Sequence, residues 1–143
     1  MSFLLDTCVL SEYVKRTPQA GVMRWLDAQP ESALFISAIS LAELEKGIFK
    51  LASQPAQASR HATLTLWLGK VTARFAQRTL PVDAAVWRAW AQQSAAAELQ
   101  GQPLSPMDGL IMATAQSQGL SLVTRNTADF VRFPQVVNPW AFE

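Results

Sequence analysis

The sequence predicts an α/β fold in which a short, central parallel sheet is flanked by helices on both faces. Short apolar runs alternate with helix-periodic segments along the chain, an order that is typical of parallel α/β proteins. The runs are continuous rather than alternating, as expected of strands that are buried on both faces. With 143 residues, half of them hydrophobic, the chain suits a single domain over residues 1–143 and is not a disordered polymer.

The first two predicted strands are each followed by helical segments. The apolar run Phe3–Leu5 predicts a buried strand at the very start of the chain. A short helical turn is predicted over 11–15, and Pro18 begins a helix with one apolar face. The run 33–36 predicts the second strand. The helix that follows it carries four apolar residues on one face, namely Leu41, Leu44, Ile48 and Leu51.

The rest of the chain is predicted to contain three more helices, a third strand and a fourth strand near the end. Helix caps, prolines and glycines mark the boundaries of these elements. In order, they are a helix over 60–78, an extended link over 79–82, a helix capped by Asp83, a helix from Ser105 to Gly119, and strands over 120–124 and 136–137.

Composition excludes several classes of site. A single cysteine, Cys8, excludes a disulfide framework and a cysteine-built zinc site. A single histidine, His61, excludes a His-rich metal site and disfavours a Ser-His-Asp triad. Twelve basic and eleven acidic residues give a net charge of +1, so composition alone does not indicate nucleic-acid binding.

The sequence predicts a cytoplasmic protein without a membrane anchor. Its longest uncharged stretch, 109–124, is interrupted by polar residues and falls short of the ~20 apolar residues that cross a bilayer. The first residues lack the basic start and the long apolar run of a signal peptide. The lone thiol is consistent with a reducing compartment.

Three carboxylates are predicted at the edge of the sheet where the parallel strands end. Asp6 directly follows the first strand, Glu43 lies near the start of the helix after the second strand, and Asp108 lies in the first turn of its helix. Asn126 and Asp129 follow the third strand. Ligands of open α/β sheets bind at this edge, so the acids are expected to share one site.

Carboxylates that converge on one edge repel each other, and a divalent cation removes that cost. Mg²⁺ prefers oxygen ligands, and when bound it activates water and stabilises charge on a phosphodiester. Each acid also has a purely structural interpretation. Ser40 and Glu43 match a capping box, Asp108 suits the positive end of a helix dipole, and Asp6 or Asp129 suits a cap or turn.

Four segments of the chain, in order, resemble the motifs of PIN-domain ribonucleases. The match spans nearly the whole sequence and is closest to the VapC and FitB type, the toxin half of bacterial toxin–antitoxin pairs. The segments are Leu4-Leu5-Asp6-Thr7 with Ser11-Glu12 behind it, 37–44 with Gly47, 108–115, and 122–130 with the tail Asn138-Pro139-Trp140.

The resemblance implies a PIN-like three-layer sandwich and a Mg²⁺-dependent endoribonuclease toxin, with Mn²⁺ as an alternative ion. It implies that Asp6, Glu43 and Asp108 bind the metal and act in catalysis. It further implies an RNA substrate, a homodimer and a cognate antitoxin that inhibits the enzyme. The alternative is a catalytically weak PIN-like module that binds RNA or a protein partner without cleavage.

The fourth motif departs from the family pattern. Asn126 stands where many relatives carry aspartate, and Asp129 is the alternative source of that charge, so both are candidate catalytic residues. Thr7, Thr124 and Arg125 are expected to contact the substrate, Thr124 by orienting the site through its hydroxyl and Arg125 by binding a phosphate.

Three basic residues on one predicted helix face, the basic stripe, have several possible roles. Lys70, Arg74 and Arg78 are four residues apart, which places them on one helix face. They are interpreted as phosphate contacts, as a solvated face, or as antitoxin or dimer contacts. Cys8 is predicted to be a small buried hydrophobe.

Overall fold

A computed structural model describes residues 1–142, in which five parallel strands form one sheet. The strands are β1 (Phe3–Leu5), β2 (Leu34–Ser37), β3 (Thr79–Leu80), β4 (Ser121–Val123) and β5 (Val136–Val137). Their order across the sheet is β3-β2-β1-β4-β5. The central strand β1 places Leu4 beside Phe35 of β2 and Leu122 of β4. The predicted α/β class with a central parallel sheet is confirmed.

Six α-helices of four or more residues lie within residues 1–142 and connect the strands. None of the helices in this range has both the length and the apolar composition needed to cross a bilayer. The helices are α1 (Thr7–Glu12), α2 (Ala20–Ala28), α3 (Ala38–Ala52), α4 (Ala58–Arg74), α5 (Ala84–Leu99) and α6 (Pro106–Ser117).

The sheet separates two hydrophobic cores, which makes the fold a three-layer sandwich. Side chains of a strand point alternately to opposite faces. Phe3 and Leu5 of β1 therefore enter the core formed with α1, α2 and α4, whereas Leu4 enters the core formed with α5 and α6. All three of these β1 side chains are at most 6% exposed. Burial on both faces explains why the strand is a continuous apolar run.

The strand order reverses beside β1. The chain adds β2 and β3 on one side of β1 and then returns to place β4 and β5 on the other side. The loops after β1 and β4 therefore diverge to opposite faces of the sheet and leave a crevice between the carboxyl ends of the two strands. The fold thus opens a ligand site directly beyond Leu5 and Val123.

Several predicted boundaries differ from the structure. The short turn expected over 11–15 overlaps only the last two residues of α1, which begins at Thr7 and ends at Glu12, and the helix expected from Pro18 begins at Ala20. The helix expected over 60–78 ends at Arg74, and the extended link over 79–82 contains β3. A strand of two residues has no periodicity to detect. It exists because Thr79 pairs with Ile36 of β2, and the chain leaves α4 early to reach that partner.

Two residues of the basic stripe form a clamp between the end of α4 and the start of β2. Glu31 accepts hydrogen bonds from Arg74 at 2.7 and 2.8 Å and from Arg78 at 2.8 Å. Arg78 also donates to the backbone carbonyls of Glu31 and Leu34. Arg74 and Arg78 are therefore structural, and only Lys70 remains a free member of the stripe among the described residues.

The clamp also sets a pH dependence. Hydrogen bonds from Arg74 and then Arg78 lower the pKa of Glu31 from 4.5 to about 2. An acid with a lowered folded-state pKa stabilises the fold fully above its unfolded pKa. The stabilisation from this clamp is therefore complete above pH 4.5 and is lost as the pH falls toward about 2.

We expect Arg78→Ala to lower the free energy of unfolding by about 2 kcal/mol, because a shielded guanidinium that binds three backbone carbonyls, those of Glu31, Leu34 and Arg74, is worth more than an exposed ion pair. Arg74→Ala is the matched control and should cost less than about 1 kcal/mol, since its side chain is 38% exposed against 15% for Arg78. Urea denaturation at pH 7 measures both. Equal losses would contradict this account of the clamp.

Candidate active site

The crevice beyond β1 and β4 collects polar side chains from four elements. Asp6 follows β1, Thr124 follows β4, Glu43 lies in the second turn of α3, and Asp108 is the third residue of α6. Parallel strands all end at one edge, so these residues, far apart in sequence, become neighbours. The structure thus brings the three predicted acids to one edge, as their positions in the sequence indicated.

Asp6 is held by two donors. Its side chain belongs to a residue that is only 5% exposed. The backbone N–H of Thr7 donates to Oδ1 at 2.8 Å, and the Thr124 hydroxyl donates to Oδ2 at 2.8 Å. The first bond makes Asp6 the N-cap of α1. The capping interpretation of Asp6 is therefore confirmed, and the same carboxylate lies at the crevice where an active site is predicted.

Thr124 links the ends of β1 and β4. It is completely buried, and its hydroxyl donates to Asp6 while accepting the backbone N–H of Asn126 at 3.0 Å. The accepted bond aims the single hydroxyl proton at the carboxylate. The side chain thereby holds the Asp6 carboxylate in one orientation.

Glu43 is tethered to α1 rather than to its own helix. The Thr7 hydroxyl donates to Glu43 Oε1 at 3.0 Å and lies 2.9 Å from Ser40 Oγ. The predicted capping box of Ser40 and Glu43 is wrong, because α3 begins earlier. Its cap is Ser37, whose Oγ accepts the N–H of Ile39 at 3.0 Å. Glu43 is thus free to face the crevice.

Asp108 enters the site through the start of α6. Ser105 caps this helix and its Oγ accepts the backbone N–H of Asp108 at 3.4 Å. The next residue, Gly109, packs against α5, and a Cβ there would lie 3.1 Å from the Trp90 ring. The absence of a side chain at 109 lets α6 approach α5 closely and so fixes the depth of Asp108 in the crevice.

Burial and mutual repulsion raise the pKa values of two of the acids. Burial is the main cause for Asp6, and the charge of Asp108 raises its pKa further, against the hydrogen bonds from Thr124 and Thr7. Burial also raises the pKa of Glu43, with additional repulsion from Asp6 and Asp108, while Thr7 and Lys46 oppose the shift. The three carboxylates therefore form one electrostatic group whose negative charge the described residues leave largely uncompensated.

This donor set fits a hard divalent cation. Carboxylate oxygens are the ligands that Mg²⁺ prefers, and the ion usually keeps several waters beside one or two protein carboxylates. Among residues 1–142, no three carboxylate, imidazole or thiol groups are close enough to hold one ion together. An ion here would hence bind one or two of the acids directly and the others through water.

The remaining predicted site residues lie at the rim. Asn126 and Asp129 are exposed, and Asp129 lines a surface cavity together with Asp108. Arg125 is also exposed, and its guanidinium lies 5.8 Å from the centre of the Trp140 ring. Thr7 is part of the site through Glu43, as described above. The neutral Asn126 contributes its backbone N–H to Thr124.

Cys8 lies beside Asp6 and Thr124, a position that the sequence alone did not predict. The thiol is half-buried, with Sγ 3.9 Å from Asp6 Oδ2 and 3.7 Å from Thr124 Oγ1. Burial is the main cause that raises its pKa, which keeps it a neutral thiol. Its position in the first turn of α1, two residues after Asp6, was the available signal. The predicted role as a buried hydrophobe is therefore only partly correct.

The chain is similar to known toxins over almost its full length. The PIN domain profile matches residues 3–136. VapC ribonuclease Y4jK of Sinorhizobium fredii is 38% identical over 138 residues, which covers 96% of both chains. Toxin FitB of Neisseria gonorrhoeae is 35% identical over 138 residues, covering 96% of this chain and 97% of the relative.

Solved structures show the same similarity in three dimensions. The crystal structure of FitAcB from Neisseria gonorrhoeae matches with a TM-score of 0.88 and 33% identity, covering 98% of this chain and 99% of that one. A toxin–antitoxin complex from Klebsiella pneumoniae matches with a TM-score of 0.67 and 27% identity, covering 96% of this chain and 98% of that one.

We expect Thr124→Val to lower the free energy of unfolding at pH 7 by about 1–3 kcal/mol, because the buried Asp6 oxygen and the Asn126 N–H both lose their partner. Thr114→Val is the matched control. Thr114 is equally buried, but its hydroxyl only donates to the Leu110 carbonyl one turn earlier in α6, and that change should cost less than about 1 kcal/mol. Chemical denaturation compares them, and a smaller loss for Thr124→Val would contradict the orienting role.

Proposed function

Because the chain belongs to the PIN domain family, among its VapC- and FitB-type toxins, we propose that it is a divalent-metal-dependent endoribonuclease controlled by a cognate antitoxin. The observation that carries the proposal is the group of three carboxylates beyond β1. Asp6, Glu43 and Asp108 repel one another there, and a cation would relieve that repulsion. The relative named a VapC ribonuclease supports RNA as the substrate.

Some side chains of the site would bind the ion, and others hold those ligands in position. Asp6, Glu43 and Asp108 would hold Mg²⁺ or Mn²⁺, one or two of them directly and the others through water. When bound, the ion supplies an activated water and neutralises charge on the phosphodiester. Thr124 and Thr7 keep Asp6 and Glu43 in fixed orientations, so little rearrangement is needed when substrate binds. Arg125 stands at the rim, where its exposed guanidinium would meet a substrate phosphate.

We propose that Asn126 and Asp129, the candidates for a fourth metal-binding residue, contribute less than the three acids. Asn126 carries no charge, and its amide would serve as a neutral oxygen ligand or hold a water. Asp129 is exposed and is a candidate for the missing charge only if its carboxylate turns toward the three acids. We therefore propose one firmly held ion, with any second ion depending on the substrate for its ligands.

The protein partners that we propose are a cognate antitoxin and a second copy of this chain. The Klebsiella pneumoniae match is a toxin–antitoxin complex, which supports a small antitoxin for this chain. A homodimer is the assembly that the resemblance to VapC- and FitB-type toxins implies. A cytoplasmic location follows from the proposed RNA substrate. Sedimentation equilibrium of the purified chain tests the dimer directly.

We expect Asp108→Asn to reduce RNA cleavage at least about a hundredfold, since stabilisation by a bound metal is worth several kcal/mol. The folded state should not be weakened without metal, because the change removes a repelling charge. Mg²⁺ should raise the melting temperature of the wild-type chain and leave that of the variant unchanged. A gel assay with total RNA and thermal melts with and without EDTA give both measurements.

Asp27→Asn is the matched control, because it removes one exposed carboxylate on α2, away from the crevice. It should retain full cleavage. A folded Asp108→Asn variant that cuts RNA at the wild-type rate would refute the assignment of the acids. A wild-type chain that binds RNA without cutting it in Mg²⁺ or Mn²⁺ would instead support the non-catalytic binding module.

A further inference from the structure

Asp108, one of the three carboxylates, lines a surface cavity of about 330 Å³. This cavity lies between the loop that precedes α6 and the segment that follows β4. Leu104 and Val131 form apolar parts of its lining, and Val131 is 72% exposed. Its charged groups are Asp108, Asp129 and Arg132, and the polar side chains of Gln102 and Ser105 complete the polar lining. The cavity thus combines apolar walls with an acid and a base, next to the proposed site of cleavage.

Asp129 and Arg132 can form further hydrogen bonds in the cavity. No described residue donates a hydrogen bond to the Asp129 carboxylate. Arg132 donates one N–H to the Gln100 side-chain oxygen, which connects the end of α5 to the cavity wall. A guanidinium carries five N–H donors, so others remain available. A ligand in the cavity would therefore meet both a carboxylate acceptor and a guanidinium donor.

This pair matches the pairing edge of one nucleobase. Guanine presents an acceptor, O6, followed by two donors, N1–H and the N2 amino group. Arg132 can donate to O6 while Asp129 accepts from N1–H and N2–H. Adenine and cytosine offer a ring acceptor where guanine has N1–H, and uracil offers O2 where guanine has its amino group. Each would place a lone pair against the carboxylate, which is unfavourable.

We propose that this cavity is a guanine subsite, in which Asp129 and Arg132 read the base of a nucleotide next to the bond that is cut. The proposal rests on the proposed ribonuclease function and adds base specificity to it. Leu104 and Val131 would contact the faces of the base, and Asp108 connects the cavity to the metal-binding acids. Asp129 is then a specificity residue rather than the fourth metal-binding acid.

The distinction between these two roles of Asp129 has a structural basis. The acid whose charge raises the pKa of both Asp6 and Glu43 is Asp108. Asp129 instead shares the outer cavity with Asp108, together with Val131 and Arg132. A carboxylate in that place faces an open, base-sized space bounded by apolar side chains, which suits recognition of an uncharged base.

The first experiment compares cleavage of short RNAs that differ in one base around the cut, with kcat/KM as the readout. We expect wild type to prefer guanine at one position by about 10- to 100-fold over adenine, and to lose part of that preference with inosine, which lacks the amino group. Asp129→Asn should lower kcat/KM for the guanine substrate to the value for the adenine substrate. Asp27→Asn is the charge-matched control and should keep the wild-type preference.

A binding measurement tests the subsite without cleavage. Fluorescence anisotropy with the Asp6→Asn variant compares oligonucleotides containing guanine, inosine or adenine, and the same order of affinity is expected. Adding Asp129→Asn or Arg132→Met to that variant should equalise the affinities. A wild-type chain that cleaves no RNA would refute the proposed function, whereas this binding assay would still decide the subsite.

Three outcomes would overturn the subsite. The first is cleavage and binding without any preference for guanine. The second is an Asp129→Asn variant that loses cleavage of all RNAs equally and binds Mn²⁺ more weakly, which would make Asp129 a metal-binding acid. The third is a change in oligomeric state on Asp129→Asn or Val131→Ala with base preference unchanged, which would make this surface a protein interface.

Discussion

The burial of one carboxylate, Asp6, is the constraint on which the site depends. A charged group at 5% exposure is unfavourable unless it is well bonded, and here it has two donors from different parts of the fold. The N–H of Thr7 ties it to α1, and the hydroxyl of Thr124 ties it to the end of β4. The same bonds that compensate its burial also fix the relative positions of β1, α1 and β4. Stability of the fold and geometry of the site are therefore set by the same contacts.

The short sheet explains how so small a protein brings distant residues together. Strands of two to four residues supply little hydrogen bonding by themselves, and their value lies in placing every following loop at one edge. The reversal of strand order beside β1 opens a crevice there, and α3 and α6 each contribute an acid near their first turns. The resulting repulsion among the acids weakens the metal-free fold. Such local destabilisation is common at functional sites, where binding of a ligand later offsets it.

The basic residues of the chain fall into two groups, one that stabilises the fold and one that lies near the acids. The formal net charge is only +1, and two arginines, Arg74 at the end of α4 and Arg78 beyond it, are paired with Glu31. Their role is to join α4 to β2 and β3 on the side of the sheet away from β4. The cations that remain near the acids include Lys46 on α3, and Arg125 and Arg132 in the segment between β4 and β5. Contact with a polyanion would thus depend on a few placed side chains, which favours selectivity over general electrostatic attraction.

The sequence alone determined the fold class, most helices, and the three acids that meet at one edge of the sheet. Apolar periodicity and motif spacing are local signals, and they can be recognised in the sequence itself. It did not determine β3, which exists only because Thr79 finds Ile36 across the sheet. It also could not show that Thr7 holds Glu43, that Cys8 adjoins Asp6, or that Arg74 and Arg78 are paired with Glu31. Those facts are contacts between residues remote in the chain. Only tertiary structure decides them, since a side chain's role follows from the neighbours that packing gives it.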